Sequence, residues 1–433
     1  MKITPGFNLR GFITAVVFLA SLGCSVHTSA IELAFLIDLN SRTATDLGTL
    51  GGYESWARGI NDAGQVVGNS YTAEGRWHAF ITGPNGAGMK DLGVSLGGTF
   101  LGGPFTVPRG INDAGQVVGS SYTAGDSEHA FITGPNGMGT RDLGTLGSGP
   151  SYAYSINDAG QVVGYSFTAE GTIHAFITGP DGTGMRDLGT LGGENSFAKD
   201  INDAGQVGGY SSTAEGNYRL FITGPDGVGM RGLDTLGAYD NFLNGINEAG
   251  QVVGWNHLTG GGGPGFITGP NGMGIRNLGT LGGGYSEALD INDIGQVVGS
   301  TYTGEHIDFR RAFVTGPDGA GMIDLNSLVD LPGIILTEAT GINNAGQIIA
   351  NGYVGYVTFI PEPESHTLLL AGLVLIGSIV RYKKMSASPF SPQEPAGDKQ
   401  FITSSHKDMQ RLKDMRSKDM QDMWSHGHSI EWT

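Results

Sequence analysis

The chain has 433 residues, a formal net charge of −17, a single cysteine and 76 glycines. One cysteine excludes a disulfide framework, and with Lys90 and Lys199 the only lysines between residues 31 and 360, the electrostatic footprint of a nucleic-acid binder is missing. The acidic balance suits an extracellular surface protein kept soluble by its charge.

In chain order, Lys2 and Arg10 precede the apolar run Gly11 to Ala20, and Thr28-Ser29-Ala30 follows as a small-residue cleavage pattern. This predicts a signal peptide over residues 1–30 and a mature chain from Ile31. The alternative is lipoprotein processing at Cys24, where Leu22-Gly23-Cys24 is partly lipobox-like. Cleavage after Ala30 removes the only cysteine, so stability must come from chain closure and apolar burial.

Near-copies of INDAGQVVG then recur with their isoleucines at Ile60, Ile111, Ile156, Ile201, Ile246, Ile291 and Ile342, a period of 45 residues with two small insertions. Periods of roughly 40 to 50 residues mark propellers or solenoids. Each period offers four strand candidates and no helical stripe. In one unit these are a segment ending at Ile156, then Gln161 to Phe167, His174 to Thr178 and Met185 to Leu191. The fold class predicted for residues 31–360 is therefore all-β, a seven-bladed β-propeller, with a β-solenoid as the alternative. Six whole units are completed by a half-unit at each end, Ala34 to Leu50 and Gly341 to Tyr353, and the blade phase stays open.

Two turns repeat almost unchanged. Asn157-Asp158-Ala159-Gly160 puts Gly where positive φ is needed, and Gly179-Pro180-Asp181-Gly182 is expected to place Pro at position i+1 of a β-turn. The other two links of each unit vary in sequence and length. In an up-and-down meander the repeated turns share one face and the variable links the other, and the insertion-bearing face of an array is often its binding face.

After Ile360 the composition changes. Pro361-Glu362-Pro363 leads into an apolar run from Thr367 to Val380 and then to Arg381, Lys383 and Lys384. At about 1.5 Å per residue such a run spans roughly 21 Å, short for a stable bilayer helix, and the basic cluster would stay cytoplasmic. Residues 361–384 read as a sorting or transmembrane segment, with simple anchoring as the alternative. Residues 385–433, in which Lys-Asp-Met recurs from Lys407, Lys413 and Lys418, read as a polar extension.

The units INDAGQVVG, HAF (His78-Ala79-Phe80, His129-Ala130-Phe131, His174-Ala175-Phe176) and DLGTLGG resemble the HAF family of extracellular repeats over nearly all of residues 34–360. The tail resembles a PEP-CTERM sorting signal, with Pro361, Glu362, Pro363, Arg381, Lys383 and Lys384 matching its motif and basic cluster. This resemblance implies a Gram-negative, exopolysaccharide-producing bacterium, with signal peptidase and an exosortase as processing partners and transient anchoring in the inner membrane. The extension after Lys384 departs from that pattern, since such chains usually stop there.

No residue pattern singles out a catalytic, metal or cofactor site. The histidines of HAF become Arg219, Pro264 and Arg311 in later units, so a metal ring is not expected. The pairs Asn61-Asp62, Asn112-Asp113, Asn157-Asp158, Asn202-Asp203 and Asn292-Asp293 lack the alternation of calcium loops and are read as turn chemistry. On the variable links, Tyr53, Trp56, Phe100, Phe105, Tyr152, Tyr239, Phe242 and Tyr285 are candidates to stack on sugar rings or, more simply, to anchor loops and pack blades. The carboxylates Glu54, Asp126, Glu128, Glu194, Asp240, Glu287, Glu305 and Asp308 offer no distinctive spacing for glycoside cleavage. The expected function is a secreted or surface-exposed, non-enzymatic binding or structural module without cofactor, with exopolysaccharide as a candidate ligand. The alternative is a carbohydrate-active propeller enzyme, a glycosidase or lyase.

Overall fold

The computed structural model describes residues 25–99, 105–234, 240–258, 261–304 and 310–360. The sorting motif from Pro361 to Lys384, the extension that follows and residues 1–24 of the predicted signal peptide lie outside the described residues.

Strands rich in Val, Ala, Phe and Ile with glycines between them bury both faces only when sheets stack on one another. Here they form seven four-stranded antiparallel sheets. The chain enters with β1 (Ser25–Asp38) and β2 (Thr43–Asp46). Blade one is β3 (Gly51–Ile60), β4 (Val66–Thr72), β5 (Trp77–Ile81) and β6 (Lys90–Asp91). Blade two is β7 (Thr106–Ile111), β8 (Val117–Tyr122), β9 (Glu128–Thr133) and β10 (Thr140–Gly144). Blade three is β11 (Ser151–Ile156), β12 (Val162–Phe167), β13 (Ile173–Ile177) and β14 (Arg186–Asp187). Blade four is β15 (Gly192–Ile201), β16 (Val207–Thr213), β17 (Tyr218–Ile222) and β18 (Arg231–Gly232). Blade five is β19 (Asp240–Ile246), β20 (Val252–Leu258), β21 (Gly261–Thr268) and β22 (Ile275–Gly279). Blade six is β23 (Ser286–Ile291), β24 (Val297–Tyr302), β25 (Arg310–Thr315) and β26 (Met322–Asp324). The chain ends with β27 (Ile334–Ile342) and β28 (Gln347–Ile360), which join β1 and β2 in the order β2-β1-β28-β27.

The molecule is thus a seven-bladed β-propeller, closed by a blade made of two strands from each end of the repeat region. This fixes the phase left open by the sequence: each blade starts with the strand that ends in the Ile of INDAG. The antiparallel meander within every sheet excludes the solenoid alternative. In the closing pair the backbone of Ser25–Ala30, on the leader side of the expected cleavage point, continues β1 opposite Gly355–Ile360.

The phenylalanine of HAF explains the core. Phe35, Phe80, Phe131, Phe176, Phe221, Phe266 and Phe313 are all fully buried, one per blade. Phe176, for instance, lies in the cluster between blades two and three with Val118, Ile132, Ala153 and Val162. Each such ring contributes about 1.5 to 3 kcal/mol through burial. The fourth strand is shorter than the segment Met185 to Leu191 expected for it, because Gly189 turns the chain at φ 74° and the Asp187 carboxylate accepts its N–H at 2.7 Å.

One turn differs from its sequence reading. The hydrogen bond runs from the Thr183 N–H to the Pro180 carbonyl at 3.2 Å, with Asp181 at φ 53° and Gly182 at φ 66°. Proline therefore occupies position i, and Asx-Gly forms the two centre residues at positive φ, as in the type I′ hairpin. The Asn-Asp-Ala-Gly turn behaves as expected: Gly160 donates to the Asn157 carbonyl at 2.9 Å and sits at φ 73°.

The Asn-Asp pairs do more than turn the chain. The Nδ2 of Asn61 donates to the carbonyl of Asn112 in the next blade, and the same bond continues through Asn157, Asn202, Asn247 and Asn292 to Asn343, whose Nδ2 returns to the Asn61 carbonyl. A second circle runs beside it. Asp62 donates its N–H to the Asp113 carboxylate, and Asp158, Asp203, Glu248, Asp293 and Asn344 continue the pattern back to Asp62. In the seat without a carboxylate, the Asn344 amide donates to Asp62 at 3.2 Å and to Asp293 at 2.8 Å, which relieves repulsion among like charges.

Candidate functional site

The innermost strands of the blades surround the axis, and one column of the repeat supplies its lining. Two residues before the Ile of INDAG stand Arg58, Arg109, Tyr154, Lys199, Asn244, Leu289 and Thr340, all half-buried. Two residues earlier stand Trp56, Val107, Tyr152, Phe197, Phe242, Glu287 and, after the irregular pairing of β27, Glu338 at the matching register. Of the neighbouring columns, one is confined to Ala, Pro and Leu and the other to Gly, Ser and Asp, whereas these two range over basic, acidic, aromatic and aliphatic side chains. A variable column in an otherwise repetitive strand marks side chains freed from packing duty.

On the basic side, the Arg109 guanidinium lies 4.4 Å from the centre of the Tyr154 ring and the Lys199 ammonium 4.1 Å from it. Lys199 also hydrogen-bonds the Tyr154 hydroxyl. Burial pushes the Tyr154 phenol up, but the charges of Arg109 and Lys199 together with hydrogen bonds from Tyr165 and Lys199 hold the group below its ordinary value. Burial and the Arg109 charge bring Arg58 down to about 10. Burial likewise lowers Lys199, with Arg109 adding to the effect.

The acidic side is internally satisfied. Arg310 pairs with Glu338 at 2.5 Å. Glu287 accepts from the Tyr285 hydroxyl at 3.3 Å and from Asn244. Glu32 accepts from the indole of Trp56, which ties the closure blade to blade one. Burial raises Glu32, Glu54 and Glu287 above the usual carboxylate range.

Aromatic rings run outward from this lining at the end of the blades that bears the variable links. From blade three to blade six they form a continuous series: Tyr152 and Tyr154 meet Tyr165, which meets Phe197, then Tyr210, Phe242, Trp255, Tyr285 and Tyr302. Tyr152, Phe242 and Tyr285 are therefore rings packed within and between blades, and Phe105 meets Tyr122. Blade one differs. Tyr53, 53% exposed, stacks on Tyr71 at 4.6 Å with planes 15° apart, and Trp56 and Trp77 adjoin at 4.6 Å.

The remaining sequence candidates are dispersed. Glu128 accepts from the Ser120 hydroxyl at 2.6 Å, Asp126 sits at φ 58° in its link, and Glu194 is exposed. Phe100, Tyr239, Glu305 and Asp308 lie outside the described residues, as does the side chain of Asp240. The HAF histidines bind the aspartate of the DLG segment in the same blade, His78 with Asp91 at 2.6 Å, His129 with Asp142 at 2.9 Å and His174 with Asp187 at 2.7 Å. Among the described residues no group of three or more His, Cys, Asp or Glu side chains converges as metal ligands would. None of their helices is long and apolar enough to cross a membrane.

The sequence candidates missed Arg58, Arg109, Tyr154, Lys199, Glu32 and Glu338. The signal available was the variable column itself, read down the seven units.

No family profile matches the chain, and no curated protein is similar to it in sequence. Solved structures with related folds include the putative TolB of Agrobacterium tumefaciens, 12% identical with a TM-score of 0.42, covering 75% of this chain and 99% of that one. The propeller domain of the Trilobed protease from Pyrococcus furiosus is 6% identical with a TM-score of 0.44, covering 67% and 86%. An oligogalacturonate lyase in complex with manganese is 10% identical with a TM-score of 0.42, covering 76% and 96%. The seven sheets themselves carry the fold assignment, and likenesses this distant say nothing of activity.

Proposed function

We propose that the chain is a secreted or surface-exposed propeller of the HAF-repeat kind, a non-enzymatic binding or structural module of the cell envelope or matrix that takes exopolysaccharide as its ligand. The observation that supports this reading is the aromatic group of Tyr53, Tyr71, Trp56 and Trp77 at the variable-link end of blade one, with Tyr53 largely exposed. Stacked aromatic faces offer apolar area and a fixed geometry to the C–H face of a sugar ring.

A glycan-array screen of the full chain, run beside reducing-sugar release on the same polysaccharides, tests the proposal. Binding without release is expected, weakened by Tyr53→Ala and Trp77→Ala, and an array with no bound glycan would overturn the reading. Release would favour the alternative, a carbohydrate-active enzyme, for which the raised carboxyl groups of Glu32, Glu54 and Glu287 are the supporting observation.

Delivery would use signal peptidase and an exosortase acting at Pro361-Glu362-Pro363, with Arg381, Lys383 and Lys384 retained inside until cleavage. Native surface protein should then end near Pro363. An intact mass that still included Trp424 and Trp432 would rule sorting out in favour of a simple anchor.

A further inference from the structure

We propose that the axial lining of blades one to four is a binding site for a carboxylate-bearing sugar, a uronate, whose carboxylate sits between Arg109 and Lys199 beside Tyr154. This rests on the glycan-binding reading above and assigns the chemical class of the ligand.

Three observations carry it. First, the cations are concentrated where the chain is otherwise acidic: Lys199 is one of two lysines between residues 31 and 360, and it shares its repeat column with Arg58 and Arg109. Second, none of these cations is held in a close salt bridge. Arg58 Nε donates to the neutral Asn69 side chain at 3.1 Å, and the Arg109 Nε is buried without a hydrogen-bond partner. Among the described residues the ion pairs within 4.0 Å involve none of the three. The carboxylates facing them, Glu32, Glu287 and Glu338, are already engaged by Trp56, Tyr285 and Arg310. Third, two of the cations meet at one ring, the Arg109 guanidinium 4.4 Å and the Lys199 ammonium 4.1 Å from the centre of Tyr154.

Clustered like charges that are half-buried and lack a salt-bridge partner are costly, and an anion that enters lowers the cost. A guanidinium holds a carboxylate through paired N–H donors, and an ammonium adds a point charge. The rings beside the cations are those of Tyr154 and, 5.8 Å from the Lys199 ammonium, Tyr210, and a pyranose ring held there would lie along this aromatic wall. Carboxylate and sugar ring together describe a uronate better than a phosphate or a neutral glycan.

Calorimetric titration of the full chain with an oligoglucuronate and with its carboxyl-reduced neutral form separates the possibilities. The uronate is expected to bind at least ten-fold tighter than the neutral form. Arg109→Gln and Lys199→Met, which keep their apolar stems over Tyr154, should each remove about ten-fold for the uronate and leave the neutral form unchanged. Lys199→Arg should restore binding, which guards against a misfolded variant. The difference in phenolate absorbance between wild type and Tyr154→Phe should titrate at higher pH once the uronate is bound. Equal binding of both oligomers, unaltered in the variants, would overturn the anion site while the glycan-binding reading stands. Absence of binding by either oligomer overturns the uronate site, and only a blank array would remove the wider reading as well.

Discussion

Gly160 sits at φ 73°, and a Cβ added there would come within 2.8 Å of the Asp181 backbone nitrogen in the neighbouring turn. Backbone conformation and space both forbid a side chain, whereas Ala159 beside it is exposed. Gly160→Val should therefore cost roughly 1 to 3 kcal/mol in strain, with displacement of the adjoining turn in addition, and Ala159→Val well under that. Thermal melts of the two variants check this, and equal midpoints would refute the turn assignment. Such residues are legible in a sequence because the turn needs only local geometry. The partner of His174 was not legible. Its hydrogen bond to Asp187 depends on strand register, although a later unit hints at it by replacing histidine and aspartate together, with Arg219 and Gly232 at the equivalent positions.

The innermost strands show a different logic. One residue before the Ile of INDAG, Gly59, Gly110, Gly245 and Gly341 alternate with Ser155, Asp200 and Asp290, and a Cβ at Gly59 would meet the Arg109 carbonyl at 2.8 Å. Where the column allows a side chain, it ties blades together. Asp200 accepts the N–H of Ile246 at 2.8 Å, and Asp290 that of Ile342 at 2.9 Å. Burial pushes these carboxyls up, Asp200 to about 6 and Asp290 to about 7, the latter also through repulsion from Asp200. A carboxyl whose folded value lies above its unfolded one adds stability that is complete below about pH 4 and is lost as pH rises through the folded value. The protein should thus melt lower at pH 8 than at pH 5. Asp290→Asn should flatten that dependence by an amount on the order of 2 to 4 kcal/mol. An unchanged slope between pH 5 and pH 8 in the variant would show that Asp290 does not titrate there. The repeat marks the axial cations only as a column that varies from unit to unit, and it does not say that this column faces the axis, because a residue's distance from a symmetry axis is a property of the assembled ring.

The ring as a whole was readable from its period and from the half-units at its two ends. Its closure was readable only in outline, since either blade phase satisfies the same spacing until strands are paired. What the assembled molecule adds is two circles of hydrogen bonds, one through Asn61 and its counterparts and one through Asp62 and its counterparts, each returning to its start across the closure blade. Without a disulfide, those circles and the β1 to β28 pairing replace covalent closure. Removing one period, Ile156 to Asp200, deletes one member of each circle and leaves six wedges cut for seven. The remaining blades must then either open at the closure blade or change their angular spacing against the buried phenylalanines, whose packing tolerates little displacement. A linear array would lose only one repeat and one interface and would keep its unfolding midpoint approximately. The deletion variant is accordingly expected to unfold at a much lower midpoint and with a shallower denaturant dependence than the parent chain. Denaturant titration followed by tryptophan fluorescence reads both quantities, and an undiminished midpoint and slope would mean that closure contributes nothing to holding the fold together.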